Sequence, residues 1–391
     1  MVEAGLPERR WLWPLLVSVV FAHTALNVAR PLISYRTIAV GGDAVAVGLV
    51  TAAYALLPLL IAVPLGRATD RARRTAWIVG LGAAVLAAGS VLLAAATGLV
   101  SLALASTVVG AGHLLCMIAG QGLVARFSPP EHLDRDFGWY TAAASLGQLA
   151  GPLISGAVLA DASGPDLLPA TSTALWVACA TAVLGAVGIL PLLTLRSPVP
   201  AERGSGTSVG AREILRGRRM TAALLASLSL LSAVDVLTAY LPLIAESRGI
   251  SPLYVGVLLS VRAAASLVSR LCLPWLLVRW SRRSLIVAST AVAGLSMALV
   301  AVPVGGPLAL GAVLAAGGFL LGLGQPLTMA EVATAAPEGA RGSALALRIW
   351  GNRLGQVAIP AAAAGVAGAV GAPGALLVSA AVLFAAALTA R

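Results

Sequence analysis

The sequence predicts an all-α polytopic membrane protein, with twelve transmembrane helices in two parallel-repeat six-helix bundles. Three observations predict it. The 391 residues are 59% hydrophobic and 10% charged, with a mean hydropathy of +0.95, whereas soluble domains carry about 45–50% apolar and about 25% charged residues. Apolar runs near or above the roughly 20 residues that cross a bilayer as helix recur along the chain. Short motifs also recur at an offset close to 208 residues.

In the first half the spans cover 11–34, 44–65, 75–96, 99–125, 137–160 and 171–195. The first is read as retained and not as a signal peptide, because it passes 20 residues and eleven more follow. In the second half they cover 220–245, 252–278, 284–304, 307–330, 342–369 and 373–390. All are read as helices, since spanning backbone must satisfy its own polar groups and the alternation of a barrel is absent. The polar segment 196–219, with Pro198, Pro200, Gly204 and Gly206, separates six spans from six and reads as a flexible linker. The organisation is therefore a bundle over 1–195, a linker over 196–219 and a bundle over 220–391.

Orientation follows from arginine. There is no lysine, and with both termini inside, nineteen of the 26 arginines fall in cytoplasmic segments. Only Arg36 and Arg248 fall outside, and Arg30, Arg262, Arg270, Arg348 and Arg353 lie within spans. Tryptophans 11, 13, 77, 139, 275 and 280 sit near inner helix ends, where an interfacial belt belongs. The net charge of +11 is thus a record of topology; a nucleic-acid surface would need a contiguous basic patch. Cys116, Cys179 and Cys272 all lie in apolar runs and suggest no disulfide framework or metal site.

The repeats run in order. Leu146-Gly147-Gln148-x-Ala150-x-Pro152 returns as Leu354-Gly355-Gln356-x-Ala358-x-Pro360, and Val47-Gly48 as Val255-Gly256, both at 208. Arg73-Arg74 returns as Arg282-Arg283, and Pro31-Leu32-Ile33 as Pro242-Leu243-Ile244, at 209 and 211. A six-span offset keeps both halves in one orientation, the arrangement in which two bundles rock about a central site.

Polar residues inside the membrane mark the path. His23, Asn27 and Arg30 share one face of span 1, and His113, Met117 and Gln121 one face of span 4. Arg262, Ser266 and Ser269 do so on span 8, and Arg348, Asn352 and Gln356 on span 11. Gln148, Tyr240 and Gln325 complete the expected cavity lining. Asp235, deep in span 7, is the clear intramembrane acid: either a proton carrier or the partner of a neighbouring arginine. His23 and His113 are read equally as proton carriers or satisfied interior histidines, and Arg270 as snorkelling toward the inner interface. No phosphate-binding loop is possible without a lysine, so energy must come from a gradient.

Gly66-x-x-x-Asp70-Arg71-Ala72-Arg73-Arg74 resembles the helix 2–3 signature of the major facilitator superfamily, with Ala72 replacing a glycine. Gly147-x-x-x-Gly151-Pro152-x-x-x-Gly156 resembles the glycine–proline signature of its drug:proton antiporter branch; small residues at this spacing also simply let helices approach. Gly322-x-Gly324-Gln325-Pro326, followed by Arg348-x-x-x-Asn352-Arg353-x-x-Gln356-x-x-x-Pro360, is similar to bacterial efflux-type members. The resemblance implies the superfamily fold and a cytoplasmic gate at Gly66, Asp70, Arg71, Arg73 and Arg74, with Asp70 facing the start of span 11. It departs at Ser106, where antiporters carry a helix 4 arginine. What it implies is proton-coupled export of a small organic molecule by a monomer in the bacterial inner membrane. The alternative is uptake or uniport of an anionic or zwitterionic metabolite, which the surplus of intramembrane arginine over Asp235 suggests. No enzyme activity, cofactor, metal or nucleic-acid partner is expected; the partners are substrate, protons and the lipid bilayer.

Overall fold

The structure is a computed structural model that describes residues 10–196, 214–215, 217–303, 305–336 and 341–390, apart from the side chains of Asp70, Pro130, Arg341 and Gly342. Most of the expected linker lies outside the described residues. Twelve helices are long and apolar enough to cross a membrane. They are α1 (Leu12–Ala39), α2 (Ala44–Arg71), α3 (Thr75–Ala95), α4 (Leu99–Phe127), α5 (Leu133–Leu159) and α6 (Leu167–Gly188), then α7 (Arg218–Ser247), α8 (Pro252–Arg279), α9 (Arg282–Ala301), α10 (Pro307–Ala335), α11 (Arg341–Val370) and α12 (Ala372–Ala390).

The ends have local causes. Asp43 and Ser281 cap α2 and α9 by accepting from the backbone N–H groups of Ala46 and Ser284. Helix α1 ends in a Schellman turn: Gly41, at φ +81°, bonds Ile38 while Gly42 reaches Thr37. Helix α7 ends the same way 208 residues later, with Gly249 at φ +66° on Glu246 and Ile250 on Ala245. Helix α6 departs from the expected span in both directions. It starts at Leu167, because Pro169 is tolerated in a first turn, and stops at Gly188, because Pro191 disfavours helix at the residue before it.

Within the first half α1 packs on α5 and α6, α4 on α2 and α3, and α3 on α6; the second half repeats every one of these pairings. The halves meet through α1–α7, α2–α7, α2–α11 and α5–α8. Of the two membrane faces, the one carrying residue 10 and residues 196 and 217 is termed the linker face, and the opposite one the far face.

The far face is sealed by the duplicated motifs meeting each other. A side chain at Gly48 would collide with Pro360 and Ala364 of α11, and one at Gly256 with Pro152 and Gly156 of α5. These are the same contact, exchanged between halves. Tyr240 fills the space over Gly48 and donates to the Ala44 carbonyl at 3.0 Å. The Leu253 N–H donates to the carbonyl of Ala160, a non-glycine residue held at φ +48°. At the linker face the apolar clusters separate: Trp11, Leu15, Leu123 and Tyr140 belong to the first half alone, and Met220, Leu276, Leu327 and Val332 to the second.

Two arginines differ from expectation. Arg36 does not stand in an outer loop; it lies in the last turn of α1, 4% exposed, bonding carbonyls of Ala94 and Ala96 at the end of α3 and of Leu168 in α6. Arg248 bonds the carbonyls of Val300 and Ala301 at the end of α9, the same device in the second half. Most of the tryptophan belt is exposed as a lipid-facing ring requires, but Trp11 is buried against Phe127, ring centres 5.6 Å apart.

Candidate functional site

The centre of the molecule holds a row of polar side chains across the junction of the halves. Arg30 of α1 pairs with Asp235 of α7. The other carboxylate oxygen accepts from Gln356 Nε2 at 2.6 Å, and Gln356 Oε1 accepts from Arg353 Nη1 at 3.0 Å. Arg353 also lies 4.0 Å from the sulfur of Met117 on α4. The Arg30 guanidinium stands 5.6 Å from the centre of the Tyr54 ring, and the Tyr54 hydroxyl is 2.7 Å from His113 Nδ1. His23 meets His113 edge-on, ring centres 5.5 Å apart. One carboxylate therefore links α1, α7 and α11, and is only 3% exposed.

Close backbone approach positions the row. Gly147 and Gly151 let α5 lie against α1 at His23 and Asn27, and a Cβ at either would collide with α1. Gly110 brings α4 against Tyr54, and Gly318 brings α10 against Arg262. Gly318 follows Gly110, and Arg262 follows Tyr54, by 208 residues, so Tyr54 and Arg262 are equivalent positions of the two halves. Beyond Arg30–Asp235 toward the far face lies a void of about 20 Å³, lined by Ile33, Thr51, Thr238 and Ala239. That is room for a single water.

The remaining expected residues fall in other places. Asn27 donates to the His23 carbonyl of its own helix. Tyr240 is fully buried in the far-face seal and not turned toward a cavity, because Gly48 leaves a hollow its ring fills. Arg348 bonds Gln325 at 2.7 Å, and Asn352 accepts from Ser227 at 2.9 Å, so these three tie α11 to α10 and α7 inside one half. Gln148 is half-buried, on the side of α5 turned away from exposed Leu146 and Leu153. Ser266 and Ser269 face Gly322 of α10. Arg270 does not snorkel to the interface but donates to Ser145 of α5 at 3.2 Å. Arg262 is 7% exposed, and among the described residues no hydrogen bond satisfies it. Ser106 is fully buried in the first half.

At the linker face Arg67, Arg71, Arg73 and Arg74 are exposed, and nothing stands within 4 Å of a Cβ at Gly66. The Asp70 side chain lies outside the described residues. Arg126 of α4 holds this turn by donating to the carbonyls of Thr69 and Ala72 at 2.6 and 2.8 Å. Neither Arg126 nor Tyr54 stands out in the sequence; the 208-residue offset from Arg262 is the signal that marks Tyr54.

The family model described as Major Facilitator Superfamily matches residues 15–330 and 239–391. The chain belongs to the major facilitator superfamily. No protein of curated function matches it by sequence. Among solved structures, a mutant of the nucleoside transporter NupG is 15% identical with a TM-score of 0.79, covering 97% of this chain and 99% of that one. A POT family transporter in complex with 5-aminolevulinic acid is 16% identical, TM-score 0.75, covering 99% and 96%. A bacterial homolog of the human lysosomal transporter Spinster, inward-facing and occupied, is 16% identical, TM-score 0.72, covering 99% and 97%. At such identities the likeness is one of fold. This superfamily member is an integral, multi-pass membrane transporter and not an enzyme.

Proposed function

We propose that this protein is a monomeric, proton-coupled exporter of a small organic molecule, set in the bacterial inner membrane with cytoplasmic termini. The observation that carries the reading is Asp235, the carboxylate through which Arg30 of one half is joined to the other. Ionised, it holds α1 to α7 and α11. A proton added to it cancels the charge that holds Arg30, and the central tie between halves loosens. His23 and His113 stand within reach of the same group of side chains as secondary proton carriers. The glycine–proline pattern of α5, seated on α1 and α8, supports export.

The test uses purified protein in proteoliposomes under an imposed pH gradient. Asp235→Asn is expected to abolish proton-driven flux while leaving substrate exchange, because the amide keeps the hydrogen bond from Gln356 but cannot titrate. Unchanged proton-driven flux would remove Asp235 from the mechanism.

A second reading is uptake or uniport of an anionic or zwitterionic metabolite, and one observation favours it. Arg262 is a buried guanidinium whose charged neighbours are Arg30, Arg270 and Asp235, so positive charge prevails. A substrate carboxylate or phosphate would satisfy it. Organic anions then compete for transport and cationic dyes do not.

A further inference from the structure

A second basic site lies away from the transport row, at the linker face of the second half. Here the first turns of α7 and α9 converge with the ends of α10 and α12 around a cavity of about 170 Å³. That space would hold several waters. Arg218, Arg219 and Arg283 line it with Glu331, while Ala222, Ala223, Ile286 and Ala390 form an apolar wall. Arg282 stands beside it, 3.9 Å from Glu331.

The arginines are only partly used. Arg219 spends Nε and Nη2 on one Glu331 oxygen, at 3.1 and 2.7 Å, which leaves Nη1. Arg283 gives Nε to the Ala390 carbonyl at 2.8 Å, which leaves both terminal nitrogens. Arg218 makes no side-chain hydrogen bond among the described residues and is exposed. Four guanidinium groups thus surround one carboxylate, for a net charge of three positive. The amino ends of α7 and α9 are offset by the carboxyl ends of α10 and α12, so the positive charge of the site is that of its arginines. Spare guanidinium nitrogens around a concave site match phosphate oxygens. The apolar wall stands one helical turn inward from the first residues of α7 and α9, an arrangement that matches a phospholipid headgroup with its acyl chain beside it. The equivalent position of the first half, 208 residues before Glu331, holds Leu123 in place of the acid.

We propose that this pocket binds a phosphate group, supplied by an anionic phospholipid of the leaflet at the linker face. Glu331 is its positioning residue, holding Arg219 at the rim. The site is separate from the transport row and makes the second half responsive to lipid charge.

The test measures thermal stabilisation of the full chain in phosphatidylcholine nanodiscs doped with increasing phosphatidylglycerol, with inorganic phosphate as a parallel titration. Saturable stabilisation by phosphatidylglycerol is expected. The double variant Arg218→Gln/Arg283→Gln should weaken it at least about tenfold, since two charge-assisted contacts are lost. A control, Arg67→Gln/Arg196→Gln, removes equal charge from exposed positions on the same face and should leave it unchanged. Equal loss in both double variants, or none in the first, would overturn the site. Stabilisation by inorganic phosphate with no effect of phosphatidylglycerol would overturn the lipid assignment.

Discussion

Arg262 shows how a residue can be conspicuous in sequence and still be misjudged in its neighbours. A charge in an apolar run stands out because its insertion costs roughly 2.5–3.5 kcal/mol. Its relation to Ser266 and Ser269 was also readable, as a stripe at helical spacing. The stripe does not act as a unit, because Gly318 and Gly322 press α10 onto it and turn the serines away from the junction. Spacing fixes which residues share a face; only the neighbouring helix decides what that face meets. Since no hydrogen bond satisfies the guanidinium among the described residues, Arg262→Met should stabilise the substrate-free protein by about 1–3 kcal/mol, the usual cost of an unsatisfied buried group. The same variant should lose inhibition by organic anions. Thermal unfolding and a competition assay check the two halves of this prediction; loss of stability with unaltered competition would assign Arg262 a packing role.

At the scale of elements, the pairs of motifs recognised by their repetition turn out to be one contact made twice. The order of the motifs was legible, but their meeting was not, because it depends on a two-fold relation between halves that sequence does not state. The contact is tight enough to predict from. Gly256→Val and Gly48→Val should each force α8 from α5, or α2 from α11, with an overpacking cost of about 1–3 kcal/mol. Both should favour opening at the far face, and by similar amounts. Ala160→Gly should act in the opposite direction, because glycine holds a positive φ without the strain of about 1–2 kcal/mol that a Cβ adds. Distances between spin labels at the far-face ends of α5 and α8 report both effects; a shift in the same direction for Ala160→Gly and Gly256→Val would contradict the account.

For the whole molecule, span count, bundle pairing and the sidedness of arginine were all present in the sequence, because lipid leaves few ways to satisfy a backbone. What it left open is which residues cross between halves, and here Ser145 and Met117 matter although they carry no charge. The balance between faces gives a further prediction. Asp70 sits at the end of α2, in the gate that the family resemblance implies, so Asp70→Asn should shift the halves toward the conformation open at the linker face and slow transport severalfold, while insertion stays normal. Failed or inverted insertion of that variant would reduce the segment to an anchor. Arg36 and Arg248 bear on how the protein is made. In the proposed orientation, with both termini cytoplasmic, each would cross the bilayer well before its acceptors exist, since Ala94 lies 58 residues and Val300 52 residues further along the chain. In each half, then, the first span waits on the far side with an unsheathed charge until the third span arrives. Biogenesis of either half is thereby committed to three spans at a time, and a ribosome halted after two should leave a product that slips back out.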